Sequence, residues 1–168
     1  MDAADYGFAV GNTFTGNLTI DDAHPDTDSN ADVAKYQGSS IGLNFSIYSA
    51  DEALLYTDNS LSDDIELKIE DNHGGGNPHD KFEINDKSSR NSISASGTSI
   101  TFDKFVFKLE DDLNADSFSS ITPIADPTLY IISFNKKFEF EIKFKSGGNE
   151  VKLKGDATAI SSSAPAAV

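Results

Sequence analysis

The chain has 168 residues and no cysteine, and its 28 acidic residues exceed its 13 lysines and arginines, which gives a net charge of −15. This length favours one domain with a core large enough to need no disulfide bonds. The charge disfavours nucleic acid and anionic membrane surfaces as partners. The lack of cysteine excludes thiol chemistry, and no apolar run approaches the ~18 residues of a transmembrane helix.

Apolar residues recur at every second position, the period of a β-strand with one buried face. The first strand follows Phe8, Val10, Phe14, Leu18 and Ile20, with a bend expected at Gly11 or Gly16. In chain order, this pattern predicts strands over 8–20, 41–48, 54–56, 65–70, 82–84, 100–109, 129–134, 137–145 and 151–154.

Two of the later strands carry additional signals. The alternation between 100 and 109 changes parity, so we predict a β-bulge at Asp103-Lys104. Ser146-Gly147-Gly148-Asn149 separates the last two strands and predicts a hairpin turn. The best helical candidate, Asp112 to Phe118, amounts to one or two turns.

These elements predict an all-β fold. Eight to ten short strands with polar turns are typical of a single antiparallel β-sandwich, jelly-roll-like in arrangement. We expect a flexible N-terminus over 1–6, the sandwich domain over 7–160, and a flexible, linker-like tail over 161–168.

The loop after the first strand is unusually acidic. Asp26, Asp28, Asn30 and Asp32 recur at every second position. Calcium takes six to eight oxygen ligands, and alternate positions on a curling loop can direct several of them inward. We therefore predict a Ca²⁺ site at these four residues. The alternative is a turn in which the same side chains bond their own backbone, since Asp and Asn are common turn formers.

A glycine-rich loop carries two histidines. His73 and His79 flank Gly74-Gly75-Gly76, with acidic residues nearby. The pair could bind a transition metal or transfer protons in a hydrolase. A flexible hairpin loop with solvated imidazoles remains the alternative.

Three motifs together resemble a known group of proteins. They are Phe14-Thr15-Gly16-Asn17-Leu18-Thr19-Ile20-Asp21 followed by Pro25-Asp26-Thr27-Asp28 and Tyr36, Asp71-Asn72-His73-Gly74-Gly75 before Asp80-Lys81-Phe82, and Asp126-Pro127-Thr128-Leu129. From Phe14 to Ile160 the chain resembles exported bacterial proteins of the PEP-CTERM type, which an exosortase sorts to the cell surface. The resemblance implies export, removal of a signal peptide and sorting tail, and a link to the surface or matrix. It implies no catalytic residues.

We therefore expect a secreted or cell-surface module without catalysis. It would bind a divalent cation, and its partners would be extracellular polysaccharide or a matrix protein. One alternative is a β-sandwich polysaccharide hydrolase or lyase, which needs converging carboxylates and aromatic platforms in a cleft. Another is an intracellular interaction domain without metal. The sequence leaves the oligomeric state open.

Overall fold

The computed structural model describes residues 3–20, 25–38, 41–58, 64–73, 79–87, 90–95, 98–111 and 137–157. These residues form a short 3-10 helix, Ala3–Tyr6, and ten β-strands. The strands are β1 (Thr13–Ile20), β2 (Val33–Gln37), β3 (Ile41–Tyr48), β4 (Leu54–Asp58), β5 (Ile65–His73), β6 (His79–Asp86), β7 (Arg90–Ala95), β8 (Thr98–Asp111), β9 (Lys137–Ser146) and β10 (Asn149–Asp156).

The strands form two antiparallel sheets. The smaller sheet has the order β1-β3-β4, and the larger has the order β10-β9-β8-β6-β5-β2, with β7 paired to the start of β8. The all-β class and the two-sheet sandwich are thus confirmed. The described residues include no helix with the length and apolarity that a membrane crossing requires.

The core lies between the two sheets and is rich in phenylalanine. The ring of Phe45 on the smaller sheet stacks on Phe105 of the larger sheet, with 5.2 Å between ring centroids. Phe14 stacks on Phe140 in the same way at 4.6 Å. Such pairs bury a large apolar area and favour offset geometries, so they hold the two layers together and fix their alignment.

Several strand predictions are confirmed in detail. β3 spans the predicted residues, and its alternate apolar side chains are buried while the residues between them are less buried. The register of β8 against β9 shifts between Phe102 and Lys104, where the bulge was predicted. The β9–β10 hairpin turns at Gly147 and Gly148, whose φ angles of 53° and 88° suit the tight two-residue turn of a hairpin.

The first segment differs from the prediction. β1 begins at Thr13 instead of Phe8, because a turn precedes it in which the Ala9 N–H donates to Asn12 Oδ1 at 2.7 Å. Residues 3–6, expected to be flexible, form the 3-10 helix. The physical reason is burial, since Tyr6 is only 6% exposed and joins the core cluster.

Two strands, β2 and β7, have no counterpart among the predicted ones. The predicted turns at 112–118, the strand at 129–134 and the tail at 161–168 lie outside the described residues. The larger sheet has β2 at one edge and β10 at the other.

Candidate functional site

The acidic loop forms a succession of side-chain-to-backbone turns. Asp26 Oδ1 accepts the N–H of Asp28 at 2.9 Å, and Asp28 Oδ1 accepts the N–H of Asn30 at 3.0 Å. Asn30 Oδ1 accepts the N–H of Asp32 at 3.1 Å. The alternating polar residues therefore satisfy their own backbone, as the Asx-turn alternative predicts.

The same loop also covers the edge of β2. Asp26 Oδ1 accepts the N–H of Lys35 at 2.8 Å, and the Lys35 carbonyl accepts the N–H of Thr27 at 2.9 Å. These bonds occupy backbone groups that an edge strand would otherwise leave open to pairing with another chain. The loop is thus fixed along the sheet edge.

Local electrostatics favour an ionised Asp28. The hydrogen bond from the Asn30 N–H outweighs the opposing effect of burial, and with Lys35 it holds the pKa of Asp28 below its usual value. Lys35 Nζ lies 3.5 Å from Asp28 Oδ2. Burial, aided by the charge of Asp26, raises the pKa of Tyr36.

The structure brings the four predicted calcium ligands into one continuous loop. Asp26, Asn30 and Asp32 are exposed and Asp28 is half-buried. Among the described residues, no group of three or more carboxylate, imidazole or thiol side chains has the arrangement of a metal site. The Ca²⁺ site at Asp26, Asp28, Asn30 and Asp32 stays a prediction.

The two histidines lie opposite each other in the β5–β6 ladder. The His73 side chain and residues 74–78 fall outside the described part of the chain. His79 Nε2 lies 2.8 Å from Oε2 of Glu70, a carboxylate only 4% exposed. His79 is therefore a partner for a buried acid, a role that needs neither a metal nor proton transfer.

Glu70 is surrounded by cations on the outer face of the larger sheet. Lys68 forms an ion pair with it, and Lys81 Nζ lies 3.7 Å from its Oε1. Burial opposes ionisation of Glu70, but the hydrogen bonds from Lys68 and His79 outweigh it and lower its pKa. Its neighbours on this face therefore hold Glu70 in its charged form.

A second ionised carboxylate, Glu83, lies on the neighbouring strand. Its Oε2 is 2.7 Å from Lys81 Nζ and 3.2 Å from Lys108 Nζ. Burial opposes ionisation, yet hydrogen bonds from Lys81 and Asn85 lower its pKa to about 2. The cations of β5, β6 and β8 thus alternate with carboxylates across the face, an arrangement that stabilises sheets.

Buried carboxylates elsewhere were not identified from the sequence. Asp58, Asp80, Asp86 and Asp111 are each at most 1% exposed. Asp80 and Asp111 are register partners in β6 and β8, and all four have an interaction partner. Each lies two residues along its strand from a buried apolar residue (Tyr56, Phe82, Ile84 or Leu109), and this place in the apolar alternation was the signal in the sequence.

The corner formed by β8, β9 and β10 concentrates lysines. Lys104, Lys143 and Lys152 are successive register partners across the three strands. Glu141 contacts Lys143, Lys152 and Lys154, with the closest approach 3.3 Å to Lys154 Nζ. Burial opposes ionisation of Glu141, but these lysines outweigh it and lower its pKa.

A groove of about 460 Å³ crosses this outer face from β6 to β10. Its ionisable lining residues are of both signs, with lysines at 104, 108 and 154 and acids at 83, 139, 141 and 156. Val106 lies among them and is 8% exposed. The groove presents charged groups of both signs to which an extended polar ligand could hydrogen-bond.

Comparison with known proteins adds no assignment to these features. Family models, curated proteins and solved structures give no match to this chain. The PEP-CTERM resemblance stays a prediction, and the function has to be inferred from the residues themselves.

Proposed function

We propose that this protein is a non-catalytic β-sandwich module of the bacterial cell surface or extracellular matrix that binds polysaccharide. One observation carries the proposal, namely the mixed-charge groove on the outer face of the larger sheet. Its carboxylates Glu83 and Glu141 are engaged by lysines. Such a surface can hydrogen-bond the hydroxyl and charged groups of a sugar chain.

The lowered pKa values of Glu83 and Glu141 argue against glycoside hydrolysis. A hydrolase needs one carboxyl group whose pKa is raised, so that it can protonate the leaving oxygen. In the groove, Glu83 has a pKa of about 2, and the pKa of Glu141 is also lowered. Both are therefore suited to hold cations in place and poorly suited to donate a proton.

Because four acidic residues line the groove, a polysaccharide hydrolase or lyase is the second candidate function. Incubation with a panel of neutral and acidic polysaccharides distinguishes the two functions. We expect retardation in affinity electrophoresis and no release of reducing ends or unsaturated sugars. Release of either product, lost in Glu141→Gln, would replace the proposal by the enzymatic one.

The predicted location has its own test. An antibody raised against the protein should label intact cells that express the full-length gene, because the proposal places the module outside the cell. Labelling that appears only after the cells are broken open would contradict this location and leave the polysaccharide measurement unaffected.

Cation binding at the acidic loop is tested by the melting temperature. If Ca²⁺ binds, calcium at a hundredfold excess over Kd stabilises the fold by about 2.7 kcal/mol, which raises the Tm of chelator-treated protein by roughly 5–10 °C. Asp28→Ala should abolish this shift, whereas Asp51→Ala, an exposed turn position, should retain it. No shift in the unmodified protein, together with no heat in calorimetry, would eliminate the site.

A further inference from the structure

One edge of the smaller sheet is open. β1 pairs with β3, and within the described part of the chain its outer edge receives no hydrogen bond. Successive residues of a strand direct their N–H and C=O groups to alternate sides, so half of the eight residues of β1 present these groups away from β3. An edge of this kind is a template on which another strand can pair.

Three other edge strands carry features that oppose such pairing. The acidic loop covers β2, where Asp26 accepts the backbone N–H of Lys35. β10 carries the exposed lysines Lys152 and Lys154, and β4 is only five residues long with an irregular register against β3. Charged side chains, short length and bulges are common protections of an edge strand against pairing with another chain.

β1 lacks all of these protections. Its eight residues, Thr13–Ile20, include no charged residue and no proline, and its register against β3 runs without a shift. The neutral character extends across the smaller sheet, because the one charged residue in the sequences of β1, β3 and β4 is Asp58, which is 0% exposed. A protein of net charge −15 therefore has one long, regular and uncharged sheet edge.

The sequence of β1 is compatible with pairing to a second copy of itself. Phe14 and Leu18 are half-buried against the core, whereas Thr15 and Asn17 between them are exposed. Two copies can pair antiparallel about a two-fold axis at Gly16. Phe14 of one copy then lies opposite Leu18 of the other, and Thr15 lies opposite Asn17. Each side chain meets one from the same face of the sheet, as a continuous sheet requires.

We propose that the open edge of β1 is a self-association surface, at which two copies of the protein join by antiparallel β1–β1 pairing. The two three-stranded sheets become one continuous sheet of six strands. A second copy suits this edge because an uncharged strand brings no like charges opposite each other. The pairing does not depend on polysaccharide binding, but it places two grooves in one particle and so allows bivalent binding within a matrix.

The dimer should be weak and should strengthen with salt. Edge pairing engages the eight residues of β1 in each copy, fewer than the roughly 20–30 residues a side of a standard interface, so dimers form only at high protein concentration. The net charge of −15 on each copy opposes their approach. Salt screens this long-range repulsion, so association should increase with ionic strength.

Sedimentation velocity from low micromolar to millimolar protein, at low and moderate salt, measures the association. The test variant, Thr15→Lys with Asn17→Lys, places two pairs of lysines opposite each other across the β1–β1 ladder. The matched control, Ala50→Lys with Asp51→Asn, makes the same change in net charge at exposed turn positions between β3 and β4. Circular dichroism confirms that each variant is folded.

We expect the unmodified protein and the control to dimerise at high concentration, with a larger dimer fraction at moderate salt. The lysine variant should dimerise about tenfold more weakly, because like charges directly opposite each other destabilise a sheet. Mixing it with a second variant, Thr15→Glu with Asn17→Glu, should restore dimers, because each lysine then meets a glutamate. Amide hydrogen exchange of β1 should slow as the protein concentration rises.

Three results would overturn the inference. A monomer at every concentration and salt would remove the self-association. A dimer that the lysine substitutions leave unchanged would place the contact on another surface. Slow exchange of all β1 amides in the monomer would mean that another part of the same chain covers the edge. None of these results affects the polysaccharide measurement, so the two proposals fail independently.

Discussion

Glu83 provides the sharpest test of how the charged face stabilises the fold. This acid is 13% exposed and lies 2.7 Å from Lys81 Nζ and 3.2 Å from Lys108 Nζ. Its pKa is lowered from an ordinary 4.5 to about 2 by interactions that outweigh the effect of burial. At 1.36 kcal/mol per pKa unit this corresponds to about 3 kcal/mol, and solvent screening of the partly exposed lysines reduces it to roughly 1.5 kcal/mol.

The sign of the pH dependence follows from the lowered pKa. Stability from Glu83 is present in full above the unfolded pKa, near 4.5, and is lost as the pH falls toward 2. Glu83→Gln should therefore be less stable than the unmodified protein by roughly 1.5 kcal/mol at pH 7 and nearly equal to it at pH 2.

Urea unfolding followed by circular dichroism at several pH values measures this difference. Glu139→Gln, an exposed position on the same face, is the matched control and should have little effect at any pH. Parallel stability curves for Glu83→Gln and the unmodified protein from pH 2 to 7 would refute the reasoning. They would mean that the lysines around Glu83 do not stabilise its charged form.

Two substitutions test the packing between the sheets. Phe45→Ala removes a ring that contacts Phe14, Tyr56, Phe102 and Phe105, and should lower the free energy of unfolding in urea by about 3–5 kcal/mol; a loss below 1 kcal/mol would contradict a core centred on this ring. Gly155→Ala would place its Cβ 2.6 Å from the Phe140 ring, and overpacking of this kind should cost about 1–3 kcal/mol. An unchanged Tm of Gly155→Ala would mean that the ring can move aside freely.

The strands with one buried face were predictable because their apolar residues alternate without interruption. β3 and the β9–β10 hairpin follow this rule, and the hairpin adds two glycines at its turn. The bulge in β8 was predictable for the same reason, since a change of parity between Phe102 and Phe105 requires one extra residue if both rings are to be buried.

The remaining elements depend on contacts between residues far apart in the sequence, which the local alternation of apolar residues does not reveal. β2 buries Val33 and Ala34 in succession, so alternation is absent from its start, and its pairing with β5 spans a long sequence separation. Tyr6 enters the core from the 3-10 helix and Phe8 from the segment just after it, so neither lies on a strand. The alignment of Lys104, Lys143 and Lys152 depends on the register of β8, β9 and β10, and the sequence of one strand alone does not define that register.

Charges are unevenly distributed along the sequence, and the order of the strands gives the two edges of the larger sheet different charges. The acidic loop leads into β2 at one edge of the larger sheet, while Lys152 and Lys154 lie on β10 at the other. Five strand spacings of about 4.8 Å separate these edges by roughly 24 Å, about three Debye lengths at physiological salt. The acidic loop is therefore screened from the lysine corner.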